Sequence, residues 1–178
     1  MKLKKLILTL GYALLLICPL ASNAQKQGQE EDVLGENVGM EWSFHLGRLL
    51  PNQITGIEEI LPMWGGRFGL KTGRGFVEMG AAFANALNTR ITTLSLSHRG
   101  HMPVQNLVGH VYYGVDLHHI KAPGSENATI LGGGHVGGGI LALISNEVWL
   151  RGDMKFNVNP GTSLYVGFGI MLRFGDGK

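Results

Sequence analysis

The sequence predicts an all-β protein, an eight-stranded antiparallel up-and-down transmembrane β-barrel preceded by a cleavable signal peptide. Two observations carry this prediction. Large apolar residues alternate with small or polar ones along successive segments, as in strands with one apolar face. The clearest such segment, 164–174 (LYVGFGIMLRF), ends the predicted fold. It has about the ~9–11 residues with which a tilted strand crosses a bilayer.

The first 24 residues have the pattern of an export signal. Three lysines near the N-terminus precede a mostly apolar run, 6–20, and Ser22 and Ala24 are the small residues that a signal peptidase reads. We therefore predict cleavage before Gln25. Cys18 follows Ile17 rather than a small residue, which argues against a lipoprotein site.

Removal of this segment changes the charge and the cysteine content. The remaining chain has 12 Lys and Arg against 13 Asp and Glu, so its net charge is −1 and gives no indication of nucleic-acid binding. The single cysteine leaves with the signal, which excludes a disulfide and a thiolate metal site. We expect no cofactor. The remainder divides into a polar periplasmic lead-in (25–38), the barrel (39–174) and a short tail (175–178).

The first four strands are predicted at 39–49, 63–71, 76–84 and 89–99. Residues 50–62 begin and end near prolines and are predicted as an ordered loop. Thr72 to Gly75 is typical of a tight turn, and 85–88 is a short connection. Residues 100–106 contain Pro103 and are predicted as a turn.

The last four strands are predicted at 107–120, 130–144, 147–158 and 164–174. An exposed loop, 121–129, joins the first two of these strands. The remaining connections are a two-residue turn at Ser145 and Asn146 and a turn at 159–161.

The charged residues decide between a soluble sheet and a membrane barrel. One face of the strands is almost free of charge, whereas the other holds five acids and six bases. A sheet that spans lipid must close to satisfy its edges, and eight strands leave an interior that side chains fill. We therefore predict a polar network inside the barrel, where burial requires the charges to pair. Its predicted members are Glu41, Arg67, Lys71, Glu78, Arg99, Asp116, Glu147, Arg151, Asp153, Lys155 and Arg173.

With these features the sequence resembles the small OmpA/OmpX-like outer-membrane β-barrel domains. In that family the last strand ends in an aromatic residue that the barrel-assembly machinery recognises, and Phe174 matches it by position. The tail after Phe174 departs from the family pattern. The resemblance implies a bacterial outer-membrane location, with outer-membrane lipid and lipopolysaccharide as surroundings and the assembly machinery as a partner during insertion.

The sequence disfavours two chemical activities, metal binding and Ser/His/acid catalysis. Asp116, His118 and His135 are weak candidates for a metal site, but lumen hydrogen bonding explains them better. Ser97 and His98 are consecutive, so a regular strand directs them to opposite faces, which argues against a shared Ser/His/acid site with Glu78. Ser95 and His101 complete that weak set, and we predict no catalytic residue.

The sequence therefore predicts a non-enzymatic outer-membrane protein with a side-chain-filled lumen. Its role is structural, or it interacts with an extracellular ligand through the loops at 50–62 and 121–129. A narrow pore for small solutes and a lipid-modifying enzyme are the alternative functions. A soluble β-sandwich or lipocalin-like binder is the alternative fold.

Overall fold

The computed structural model describes residues 38–54, 57–73, 75–86, 89–104, 107–145, 147–159 and 161–175. The signal peptide, most of the lead-in and most of the tail lie outside these residues. The eight strands are β1 (Val38–Pro51), β2 (Leu61–Thr72), β3 (Gly75–Ala86), β4 (Thr89–Val104), β5 (Leu107–Lys121), β6 (Thr129–Ser145), β7 (Val148–Val158) and β8 (Thr162–Gly175).

The strands form one closed antiparallel barrel in sequence order. β8 pairs with β1 along almost its whole length, with Glu41 opposite Arg173 and Leu46 opposite Phe168. The predicted fold class is therefore confirmed. The chain enters and leaves at one end of the barrel, which we call the terminal end. The other end, which carries the β1–β2 and β5–β6 loops, is called the loop end.

The two faces of each strand differ in exposure as the alternation predicts. On β8, Phe168 and Ile170 are 63% and 54% exposed on the outside, whereas Met171 is fully buried. Outward aromatic rings also pair across strands, with centroids 5.0 Å apart for Trp42 and Phe68. Successive side chains of a strand lie on opposite faces of the sheet. The outward side chains of the eight strands therefore form a continuous apolar surface around the barrel.

Within the described residues, there is no helix long and apolar enough to cross a bilayer.

The predicted turn at 100–106 is wrong. β4 continues through Pro103 to Val104, and Pro103 lies opposite Val108 on β5. Proline is tolerated here because the position is close to the end of a hairpin, where a missing backbone donor costs little. The predicted loop at 50–62 is also shorter, since β1 extends to Pro51 and β2 starts at Leu61.

Two apolar clusters fill the barrel interior, one near each end. The β1–β2 loop contributes Ile57 to the cluster at the loop end. The backbone N–H of Ile57 donates to the Ile54 carbonyl at 3.0 Å, and its side chain is buried. The loop-end cluster consists of Leu49, Ile57, Leu61, Met63, Ala82, Ala84, Ile91, Ile120 and Tyr165. The terminal-end cluster consists of Val108, Leu141, Trp149 and Met171. The charged residues lie between them.

Barrel closure can be tested by a disulfide across the β1–β8 seam. Facing residues of an antiparallel pair have Cα atoms about 4.5–5.5 Å apart, within the range of a disulfide. In a chain with Cys18→Ser, we expect Leu46→Cys with Phe168→Cys to form an intramolecular crosslink on oxidation, seen as a gel shift that reductant reverses. Leu46→Cys with Leu94→Cys is the control and should not crosslink, because β4 does not adjoin β1. Equal crosslinking in both variants would contradict the register.

Candidate functional site

The most elaborate feature of the interior is a network of buried ionic side chains. It has two parts. The arginine cluster, towards the terminal end, consists of Glu41, Arg67, Glu78, Arg99, His110, Arg151, Asp153 and Arg173. The histidine cluster consists of Thr93, Ser97, Asp116, His118, His135 and Lys155.

Arg151 is the centre of the arginine cluster. Its Nη1 donates to Glu78 Oε1 at 2.7 Å, and its Nε donates to Asp153 Oδ2 at 2.7 Å. Nη2 adds a longer bond to each carboxylate, both at 3.3 Å. One guanidinium therefore joins acids from β3 and β7, in the forked geometry that makes arginine suited to buried carboxylates.

Glu41 forms a second bridge, between Arg99 and Arg173. Arg173 Nε donates to Glu41 Oε1 at 2.9 Å, and an Arg99 Nη2 donor contacts the other carboxylate oxygen. Apolar side chains cover both cations. Arg173 lies 4.2 Å from the centre of the Trp149 ring, and Arg99 lies 5.1 Å from that of Phe76. The cluster thus continues directly into the terminal-end cluster.

Arg67 is held more loosely than Arg151. Its Nη1 lies 3.5 Å from Asp153 Oδ1 and 4.0 Å from Glu78 Oε2, and its guanidinium lies 5.1 Å from the centre of the Tyr112 ring. Both acids make their shortest bonds to other partners. Asp153 Oδ1, for example, is 3.0 Å from His110 Nε2. Arg67 therefore lies at the edge of the cluster, on its loop-end side.

The histidine cluster contains a linear chain of hydrogen bonds. Ser97 Oγ is 2.9 Å from His135 Nε2, and His135 Nδ1 is 2.9 Å from Asp116 Oδ2. Lys155 Nζ donates to Asp116 Oδ1 at 2.8 Å. His118 is bonded separately, with its Nδ1 3.0 Å from Thr93 Oγ1.

A glycine makes the serine–histidine contact possible. Ser97, Gly114 and His135 face one another across β4, β5 and β6, so a contact between the outer two passes over Gly114. A Cβ on Gly114 would lie only 2.7 Å from the Ser97 Cα. His98, the neighbour of Ser97 in the sequence, lies on the opposite, exposed face, as alternation predicts. The pairing of Ser97 with His135 could not be predicted from the sequence, because it depends on the register of three strands.

The weak metal candidates Asp116, His118 and His135 lie close together, and most of their polar atoms already make hydrogen bonds. Both ring nitrogens of His135 and both carboxylate oxygens of Asp116 make hydrogen bonds. His118 Nε2 is 3.9 Å from Asp116 Oδ2. Within the described part of the chain, no three His, Cys, Asp or Glu side chains are arranged to hold a metal ion.

Nine of the eleven residues predicted to form the lumen network lie in these two clusters. Lys71 is half-buried near the end of β2. The prediction for Glu147 is wrong, because its side chain is exposed in the turn before β7. The register of β6 against β7 shifts between Leu143 and Ser145, and the backbone carbonyl of Glu147 accepts a bond from Arg173 N at 2.9 Å. Strand alternation cannot reveal such an irregularity.

Comparison with known proteins identifies the fold. No protein-family model matches the sequence, and no curated protein matches it. Among solved structures, the Neisserial surface protein A (NspA) is similar with a TM-score of 0.62 and 10% identity, covering 78% of this chain and 97% of that one. The N-terminal β-barrel domain of Pseudomonas aeruginosa OprF gives 0.57 and 12% identity, covering 75% and 97%. A de novo designed transmembrane β-barrel gives 0.52 and 16%, covering 78% and 98%.

The chain therefore has the fold of the small eight-stranded outer-membrane β-barrels. The resemblance inferred from the sequence is confirmed at this level. Identities of this size establish the shared fold, and function has to be argued from the residues.

The arginine cluster predicts that a buried and an exposed arginine substitution differ strongly in their effect on the free energy of unfolding. Arg151→Gln leaves Glu78 and Asp153 buried with weakened compensation, so we expect a loss of about 3–5 kcal/mol in the free energy of unfolding. Arg90→Gln, at an exposed site on β4, should change stability little. Urea titration of both variants in detergent micelles, followed by tryptophan fluorescence, measures the difference. Equal midpoints would show that the cluster does not contribute to stability.

Proposed function

We propose that this protein is a non-enzymatic outer-membrane β-barrel with a filled lumen, whose role is structural or a surface interaction through its external loops. The observation that supports this most directly is the contrast between the two barrel faces. The outside is apolar around the whole circumference, and the inside holds paired charges. Lipid is the solvent that suits such a surface, because it rejects charge and cannot satisfy open strand edges.

The packing of the lumen favours a plugged barrel over the narrow pore. Arg99 and Arg151 are 0% and 1% exposed, and an apolar cluster lies near each end of the barrel. A cavity among the described residues of the interior measures about 30 Å³, which is room for about two water molecules. A solute would have to break buried ion pairs to pass.

The two longer connections at the loop end provide the surface for an interaction. The β1–β2 loop is fastened to β8, since Asn52 Nδ2 donates to Thr162 Oγ1 at 2.9 Å. In the β5–β6 loop, Ser125 Oγ donates to the Asn127 carbonyl at 2.6 Å, and Gly124 has a positive φ of 73°. These ordered turns hold exposed polar groups outside the barrel, as a binding surface requires.

The remaining features of the proposal come from the sequence. Residues 1–24 direct export, the assembly machinery inserts the chain, and outer-membrane lipid and lipopolysaccharide surround it. The position of Phe174 supports the second of these, because it lies on the outer face near the end of β8 and is 38% exposed there. A surface role also agrees with the name of the similar NspA, which is a surface protein.

Membrane fractionation and gel mobility test the main proposal. We expect the protein in the outer-membrane fraction, with its N-terminus at Gln25. Because a closed barrel resists detergent until it is heated, unheated samples should migrate differently from boiled ones. In planar bilayers we expect no steady open state, since the lumen is filled. Recovery in the soluble fraction would refute the membrane location, and a large steady conductance would refute the plug.

A second candidate, the lipid-modifying enzyme, gains support from one observation. Ser97, His135 and Asp116 form the hydrogen-bond order of a nucleophile, a base and an orienting acid. Their surroundings argue against catalysis. All three are at least nine-tenths buried inside the barrel. The carboxylate of Asp116 also accepts a hydrogen bond from Lys155. A lipid substrate outside the barrel cannot reach Ser97 Oγ.

Covalent labelling separates the two functions. We expect a fluorophosphonate probe to leave the folded protein unlabelled, because Ser97 Oγ is enclosed. Overexpression should also leave the mass spectrum of lipid A unchanged. Labelling that disappears in Ser97→Ala but persists in Ser95→Ala would establish a reactive serine and favour the enzyme.

A further inference from the structure

The charge on the outer wall of the barrel lies near the loop end and has one sign. Among the described residues of the eight strands, the outward-facing lysines and arginines are Arg48, Arg90 and Lys121, and all three are exposed. The acids of these strands are all buried inside the barrel, namely Glu41, Glu78, Asp116 and Asp153. The wall itself therefore offers these cations no carboxylate.

Two of the three cations lie on neighbouring strands and face each other. Arg90 is directly opposite Lys121 where β4 pairs with β5, and the next outward pair is Thr92 with His119. Side chains opposite each other on one face of an antiparallel pair have Cβ atoms about 4.5–5.5 Å apart, and like charges there are destabilising. We call Arg90, His119 and Lys121 the basic patch.

The barrel does not compensate this pair of charges. No described side chain forms an ion pair with Arg90 or Lys121. Glu59 of the β1–β2 loop reaches this end of β4, but its carboxylate accepts a bond from Thr89 Oγ1 at 3.4 Å. Thr89 is 1% exposed and belongs to the inner face of the strand. An anion from outside the protein is therefore the partner that the pair lacks.

The basic patch adjoins the apolar outer surface. The next outward pair on β4 and β5 consists of Leu94 and Leu117, which are 53% and 49% exposed. Polar residues just beyond the apolar band of a membrane barrel lie among the lipid headgroups. Arginine and lysine at this depth lay their stems on apolar surface and extend their charges to the headgroups. Phosphate is the anion that lipid headgroups supply.

We propose that the basic patch binds a phosphate group of a lipid headgroup in the leaflet at the loop end. The inference rests on the proposed outer-membrane location. The Arg90 guanidinium donates two parallel hydrogen bonds to phosphate, and the Lys121 ammonium adds a compact positive charge. The ring of His119 adds a further N–H donor. The bound anion also offsets the repulsion between Arg90 and Lys121, so the pair becomes favourable in the membrane.

Lipid binding by the native protein tests the site. The folded barrel in nonionic detergent with EDTA is titrated with lipid A or with dephosphorylated lipid A, and bound lipid is counted by native mass spectrometry. We expect lipid A to bind at least about tenfold more tightly, because only its phosphates accept charge-assisted hydrogen bonds. Equal binding of both lipids by a barrel that is recovered in the outer membrane would overturn the site and leave the proposed function intact. Displacement of lipid A by inorganic phosphate at equal concentration would show a site for the free ion and would also overturn the proposal.

Matched variants separate the basic patch from a general effect of surface charge. Arg90→Gln should weaken lipid A binding about tenfold, and the further change Lys121→Gln should abolish the preference for phosphorylated lipid. Arg48→Gln is the control, because Arg48 is an exposed cation near the same end but faces Pro62 on β2 and Val166 on β8. It should bind lipid A as the native protein does. Equal losses in Arg90→Gln and Arg48→Gln would overturn the assignment, and heat-dependent gel mobility verifies that each variant is folded.

Discussion

Closure of β8 onto β1 is the constraint on which the rest of the structure depends. Open strand edges expose backbone groups that lipid cannot hydrogen-bond, so a sheet in a membrane is stable only as a complete cylinder. The seam pairs Glu41 with Arg173 inside the barrel and Leu46 with Phe168 outside it. The same pairing that satisfies the backbone therefore also neutralises a buried charge and completes the apolar surface.

Closure with eight strands leaves an interior that side chains must fill. Here the filling is layered, with an apolar cluster near each end and the ionic clusters between them. The end clusters reduce the access of water to the ion pairs. A lower local dielectric strengthens each pair and makes any unpaired group more costly. Arg151, which bonds two carboxylates at 2.7 Å, shows how far this pairing has been optimised.

The same low dielectric explains why chemically suggestive arrangements need not be active sites. The chain from Ser97 through His135 to Asp116 has the distances of a catalytic triad, but it also satisfies three buried polar groups. A lumen that must pair its hydroxyl, imidazole and carboxylate groups will produce such chains for stability alone. Access, more than geometry, therefore distinguishes a structural chain from a reactive one.

The sequence by itself determined the strands and their faces, because alternation has a period of two and needs no knowledge of neighbours. Hence Phe168 and Ile170 could be placed outside and Arg173 inside, and the set of buried charges could be named almost completely. The sequence could not determine which buried side chains bond to one another. The bond from Ser97 to His135, the bridge from Arg151 to Glu78 and Asp153, and the cavity beside Arg67 all depend on register across several strands. The exposure of Glu147 and the passage of β4 through Pro103 depend on local irregularities. Only the closed barrel fixed these features, since it brings together side chains that are up to 132 residues apart in the chain.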